Sequence, residues 1–185
     1  MNYLHSARRQ FELYKQLGEK AMTQVSDEAL RWQQDEESNS IAMIVKHLWG
    51  NMRSRWTDFL TTDGEKPWRE RDAEFQNDWD SRALILDKWN EGWQCLFTAL
   101  DSITDADLDR IIYIRNEGHT ILEAINRQIA HYAYHVGQIV FIAKMVRASD
   151  WQTLSIARNK SGDYNTGKFA QEKGVRHFTD DLLKK

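Results

Sequence analysis

Three histidines carry the chemistry that can be read from this chain. His131 and His135 stand four residues apart in the stretch Thr120-Ile-Leu-Glu-Ala-Ile-Asn-Arg-Gln-Ile-Ala-His131-Tyr-Ala-Tyr-His135-Val-Gly-Gln-Ile, and His47 lies in a second apolar-patterned stretch. At 3.6 residues per turn, a spacing of four stacks both imidazoles on one helix face. Neutral imidazole is a common ligand for zinc and also suits nickel, copper and iron. Two imidazoles on one helix and a third on a facing helix could hold one divalent ion and leave a coordination position open, the pattern of catalytic sites.

The neighbours of these histidines are those of a core-adjacent face. Ala124, Gln128, His131, His135, Gln138 and Ile142 fall on one stripe, flanked by Ile121, Ile125, Ile129, Val136 and Val140. A buried imidazole without a partner is costly, so something must satisfy the pair. The residue after His131 is Tyr132, so the His-Glu-x-x-His motif of thermolysin-like proteases is absent. The Glu-x-x-His pairs of carboxylate-bridged di-iron bundles are missing too. His119 is three turns away from His131 on the same helix and is expected near the Asn116 turn. His5 and His177 are expected to be exposed.

Four long segments with a 3.6-residue apolar period must position the histidines. The first spans about Tyr3 to Val25. The second begins near Ser38-Asn39-Ser40 and runs to about Leu60, with Ile41, Ile44, Val45, Leu48, Met52, Trp56 and Phe59 as its apolar set. The third covers roughly Asp80 to Ser102, with Ala83, Leu86, Trp89, Trp93, Leu96, Phe97 and Leu100 facing inward. The fourth starts at Thr120, where Glu123 completes a capping box, and ends near Arg147. A short helical turn is expected at Glu28 to Trp32. Ile111 to Ile114 reads as an extended segment, followed by a turn at Asn116-Glu117-Gly118.

The spacing predicts an all-α protein: an antiparallel four-helix bundle over residues 1–149, with a short extended segment before the last long helix. A C-terminal tail over residues 150–185 is expected to wrap the bundle or to be partly mobile. A single proline, Pro67, among 185 residues leaves long stretches free of helix breakers. A net charge of −3 gives no footprint for nucleic acid. No apolar run is long enough for a membrane span. The one cysteine, Cys95, reads as a buried structural thiol in a cytoplasmic protein.

With these residues in view, the chain resembles the DinB-like superfamily of bacterial metal-binding four-helix bundles. The resemblance rests on His47 on the second helix, His131 and His135 on the fourth, and the stretch from Tyr113 through Gly118-His119 and Arg127 to Gly137-Gln138. It extends over about Leu4 to Asn165 and is closest to a branch of unknown function. That branch tends to carry Leu-Ser-Ile-Pro-Arg-Gly after the last helix, where this chain has Ala157 in place of the proline and Asn159 in place of the glycine.

The resemblance implies a divalent metal (zinc, nickel or iron) held by the three histidines, with water completing the shell, and a homodimer. It also implies kinship with mycothiol-dependent maleylpyruvate isomerase and bacillithiol S-transferases, in which the metal activates a low-molecular-weight thiol. The expected function is therefore a metal-dependent enzyme acting on a small molecule, such as a thiol S-transferase. The alternative is a non-catalytic metal-binding bundle serving as an interaction or stress-response protein. Candidate substrate-binding residues are Arg127, for a carboxylate, and Asn51 and Gln128, for a ligand or for orienting the histidines. The plainer expectation for Arg127 is a surface ion pair with Glu123.

Overall fold

A computed structural model describes residues 2–183. Met1, Lys184 and Lys185, at the ends of the two expected spans, lie outside the described residues. The chain is mostly helical, with six α-helices and one two-stranded sheet among the described residues. The helices are α1 (Tyr3–Met22), α2 (Asp27–Leu30), α3 (Ile41–Trp56), α4 (Arg82–Asp101), α5 (Ile121–Arg147) and α6 (Ser161–Phe169).

Each long helix begins at a residue whose side chain accepts from an otherwise unbonded backbone N–H. Asn2 caps α1, Ser40 caps α3, Ser81 caps α4 and Thr120 caps α5. Thr120 and Glu123 form the expected capping box, each side chain bonded to the other residue's backbone. The long helix α3 stops at Trp56, four residues short of the expected Leu60. Asp58 takes a left-handed φ of 47°, and its carbonyl then accepts from Thr61 and Thr62.

The four long helices pack in a cycle, α3 against α4 and α5, and α1 against α5 and α4. Between them lies an aromatic core of Phe11, Trp89, Trp93 and Tyr132. Trp89 and Trp93 meet edge to face at 5.4 Å, and Trp93 meets Tyr132 the same way at 5.6 Å. Burying each such ring contributes about 2–3 kcal/mol. The Tyr132 hydroxyl is buried with partners, receiving the Trp56 indole N–H and donating to Asn51, both at 3.1 Å. Ala83, expected to face inward, is exposed, and Ile85 is buried in its place.

The extended segment is one arm of a hairpin. β1 (Ile111–Ile114) pairs antiparallel with β2 (Glu117–Thr120) around the two-residue loop Arg115-Asn116, both at positive φ. The expected turn at Asn116 to Gly118 is thus one residue earlier, and Glu117 and Gly118 belong to β2. The Asp63 carboxylate pins the loop by accepting from the Arg115 and Asn116 backbone N–H groups, both at 2.8 Å. His119 sits in β2 opposite Ile112, beyond the Asn116 turn.

The chain after α5 is anchored in two places. Gln24 and Gln152 exchange two hydrogen bonds, and residues 177–180 return to α1. His177, expected to be exposed, is buried there. Its Nε2 lies 3.0 Å from Ser6 Oγ, and Asp180 pairs with Arg9 at 2.8 Å. Between these anchors α6 buries no residue. No helix among the described residues is long and apolar enough to cross a membrane.

Candidate metal centre

The fold brings His47, His131 and His135 together. His131 Nε2 lies 3.2 Å from His47 Nε2 and 3.1 Å from His135 Nε2, and one ring nitrogen from each of the three falls within 4.8 Å of the others. An ion bound tetrahedrally by nitrogens at about 2.0–2.1 Å separates them by about 3.3–3.4 Å. The two spacings from His131 are therefore close to what a shared ion requires, and the His47–His135 pair closes the triangle within 4.8 Å.

The opposite face of each ring is also fixed. His47 Nδ1 lies 2.9 Å from Glu74 Oε2, His131 Nδ1 lies 3.3 Å from Gln128 Oε1, and His135 Nδ1 lies 2.8 Å from Gln138 Oε1. An oxygen acceptor at each Nδ1 calls for a proton there, which leaves each neutral ring a bare lone pair at Nε2. Three lone pairs then converge, that of His131 at hydrogen-bonding distance from both others, with no proton between them. That arrangement is repulsive by itself and is what a cation would satisfy.

Electrostatics keep two of the rings neutral. Burial first, then the charges of His135 and His47, pull His131 down to about 3. Burial, then His47, takes His135 to about 4. Neutral imidazole is the form that ligates a metal. Burial pushes the Glu74 carboxyl up, but hydrogen bonds from His47 and Arg69 and the Arg69 charge prevail and hold it below the usual carboxylate range. Glu74 is thus an anion behind His47, clamped by Arg69 through Nε at 2.7 Å and Nη2 at 2.9 Å.

Glu74 arrives on a 3₁₀ turn, Asp72–Phe75, laid against α3. It reaches His47 by crossing α3 at Gly50, one turn further along the same face. A Cβ at Gly50 would sit 2.3 Å from Glu74 Oε1 and 3.0 Å from its carboxyl carbon. Gly50→Ala is accordingly expected to displace the carboxylate from His47 and weaken zinc binding about tenfold or more, with helix content retained. Calorimetric zinc titration alongside circular dichroism measures both. Phe75, on the same turn, stacks on the His47 ring with centroids 5.7 Å apart.

The other site candidates fall at different distances from the centre. Gln128 is buried, with its Oε1 3.3 Å from His131 Nδ1. Asn51 is buried with its carbonyl against Tyr132. Arg127 is exposed one turn before His131. It makes no ion pair with Glu123, whose carboxylate is engaged by Thr120 in the capping box.

Two cavities border α3. One of about 430 Å³ is walled by Trp32, Ile44, Gln138, Phe141, Ile142 and Met145. It begins one turn from His47 on α3 and one turn from His135 on α5. Another, of about 600 Å³ around Cys95, has no histidine in its wall. Burial raises the Cys95 thiol pKa, which suits a structural thiol.

Residues 1–160 match the family described as Protein of unknown function (DUF1572). The chain belongs to this family. No curated protein and no solved structure matches it. In this DUF1572 member the sequence reading missed Glu74, Arg69 and Gly50, and gave Gln138 a place on the stripe but no role. Glu74 and Arg69 lie in the polar connection around Pro67, where no periodicity marks which acid or base turns inward. Gly50, three residues after His47 on a helix, was the one available signal.

Proposed function

We propose that this protein is a divalent-metal-dependent enzyme of the DinB-like type, with zinc, nickel or iron held by His47, His131 and His135. The observation that carries the proposal is the convergence of three Nε2 atoms whose Nδ1 atoms are each tied to an oxygen. The cycle of four long helices supports the antiparallel four-helix bundle that such proteins share.

A bound ion would supply a nucleophile at neutral pH by lowering the pKa of a thiol or water in its open position. The chain's own groups do the rest. Glu74, Gln128 and Gln138 fix the ring orientations, and the Glu74 carboxylate holds the His47 proton at Nδ1 so that Nε2 is left to face the ion. The cavity beside Gln138, with Phe141 and Met145 next to Glu37 and Ser38 in its wall, offers room for the second substrate that a thiol transferase also needs. Gln128 and Asn51 act on the site through His131 and Tyr132, and Arg127 faces the small molecule. We take the protein to act in the cytoplasm as a homodimer, with a low-molecular-weight thiol as the first substrate and no nucleic-acid or membrane partner.

Calorimetric titration of the zinc-loaded protein with cysteine and 2-mercaptoethanol tests the reading. Saturable binding that disappears after chelation is expected. A zinc-loaded protein that binds neither thiol would overturn the transferase and favour the non-catalytic metal-binding bundle.

A further inference from the structure

Guanidinium groups crowd the side of the histidine centre toward the C-terminal end of α3. Arg55 is buried two turns beyond His47. Burial, then the Arg69 charge, with Arg71 and Arg127 adding to it and Glu65 opposing, brings its pKa down to about 10. Most of these cations have partners. Arg71 is clamped by Glu65, with Nε at 3.0 Å from Oε1, and Arg69 gives Nε and Nη2 to Glu74. Arg55 gives Nη1 to the Gly64 carbonyl at 2.5 Å.

Donors are left over. Arg69 Nη1 and Arg55 Nε are buried without any hydrogen-bond partner, on side chains only 1% and 6% exposed. Arg127 has no ion pair among the described residues. Leaving a buried donor unmet costs about 1–3 kcal/mol and more on a charged group, so unmatched donors on two neighbouring cations point to an absent acceptor. The position is specific. Arg69 is joined to the centre through Glu74 and His47, and Arg127 lies one turn before His131 on the face that carries the ligands. The surplus of positive charge is local, since the chain as a whole carries −3.

We propose that Arg55, Arg69 and Arg127 receive a carboxylate on the small molecule whose other end reaches the histidine centre. The guanidinium fork matches a carboxylate's two oxygens, which an uncharged group of equal size cannot supply. Arg127 is four residues from His131 and Arg55 eight from His47. At a rise of 1.5 Å per residue, the two ends of the ligand lie about 6–12 Å apart. The inference rests on the metal reading above and narrows its substrate class to organic anions.

The test compares mercaptohexanoate with mercaptohexanol, equal in length and differing in charge, by calorimetry on the zinc-loaded and chelator-stripped full chain. In the zinc-loaded protein the carboxylate compound is expected to bind about tenfold tighter or more. Stripping should weaken both compounds and keep their order, and Arg127→Gln should narrow the margin to about threefold or less. Equal affinities in the unaltered protein, no binding of mercaptohexanoate, or a full margin in Arg127→Gln would each overturn the three-arginine site. A preference that persists while stripping changes neither affinity would uphold the anion site and overturn the metal reading instead.

Discussion

Replacing His131 with alanine is expected to lower zinc affinity by a hundred- to a thousandfold, about 3–4 kcal/mol. Structural zinc sites with four ligands bind with about 10–16 kcal/mol, which sets that share for each ligand. His131 is the central member of the cluster, within 3.2 Å of both partners, so its loss leaves His47 and His135 with no imidazole between them. The metal-free protein should respond differently. There the substitution removes one of three converging lone pairs and a partly buried imidazole, so stability should change by about 1 kcal/mol or less. Urea unfolding of both proteins, with and without zinc, separates the two effects. An equal loss of stability with and without zinc would mean that His131 is only a packing residue.

Replacing Glu74 with alanine is expected to be the most destabilising single change near the site. Arg69 is 1% exposed at its side chain, and Glu74 is both its counter-charge and the acceptor for two of its donors. Breaking a buried pair by removing one partner typically costs about 3–5 kcal/mol, because the remaining charge stays in a poor dielectric. His47 also loses its anchor, and zinc affinity should fall by about ten- to a hundredfold. Glu74→Gln keeps an oxygen acceptor for one of the two partners and should fall between the alanine variant and the unaltered protein in both measurements. If the urea midpoint of Glu74→Ala matched that of the unaltered protein, the buried Arg69–Glu74–His47 relay would be refuted.

What the sequence disclosed and what it hid follow from how local each determinant is. The start of α5 was legible because Thr120 and Glu123 bond within a single turn. The two histidines of α5 were legible because a spacing of four on an apolar-flanked face has one helical meaning. Trp89 and Trp93 entered the core as their spacing implied.

Non-local determinants were not legible. Glu74 meets His47 across 27 residues of chain, through space that Gly50 leaves open, and nothing in the segment around Pro67 signals that approach. The second strand, Glu117–Thr120, lacks β-branched alternation and exists because β1 pairs with it and Asp63 holds the loop. His177 is buried only because the C-terminal segment returns to Ser6 and Arg9, a contact across 171 residues. The missing Arg127–Glu123 pair has a local cause, since the capping box claimed the same carboxylate.

X-ray absorption at the metal edge of the protein as purified tests the three-histidine centre most directly. One ion per chain is expected, with three imidazole nitrogens at about 2.0–2.1 Å and a further light atom in the open position. A protein that takes up no divalent ion when zinc, nickel or iron is supplied, or one whose ion is bound by sulfur or by carboxylates without the three imidazoles, would contradict it.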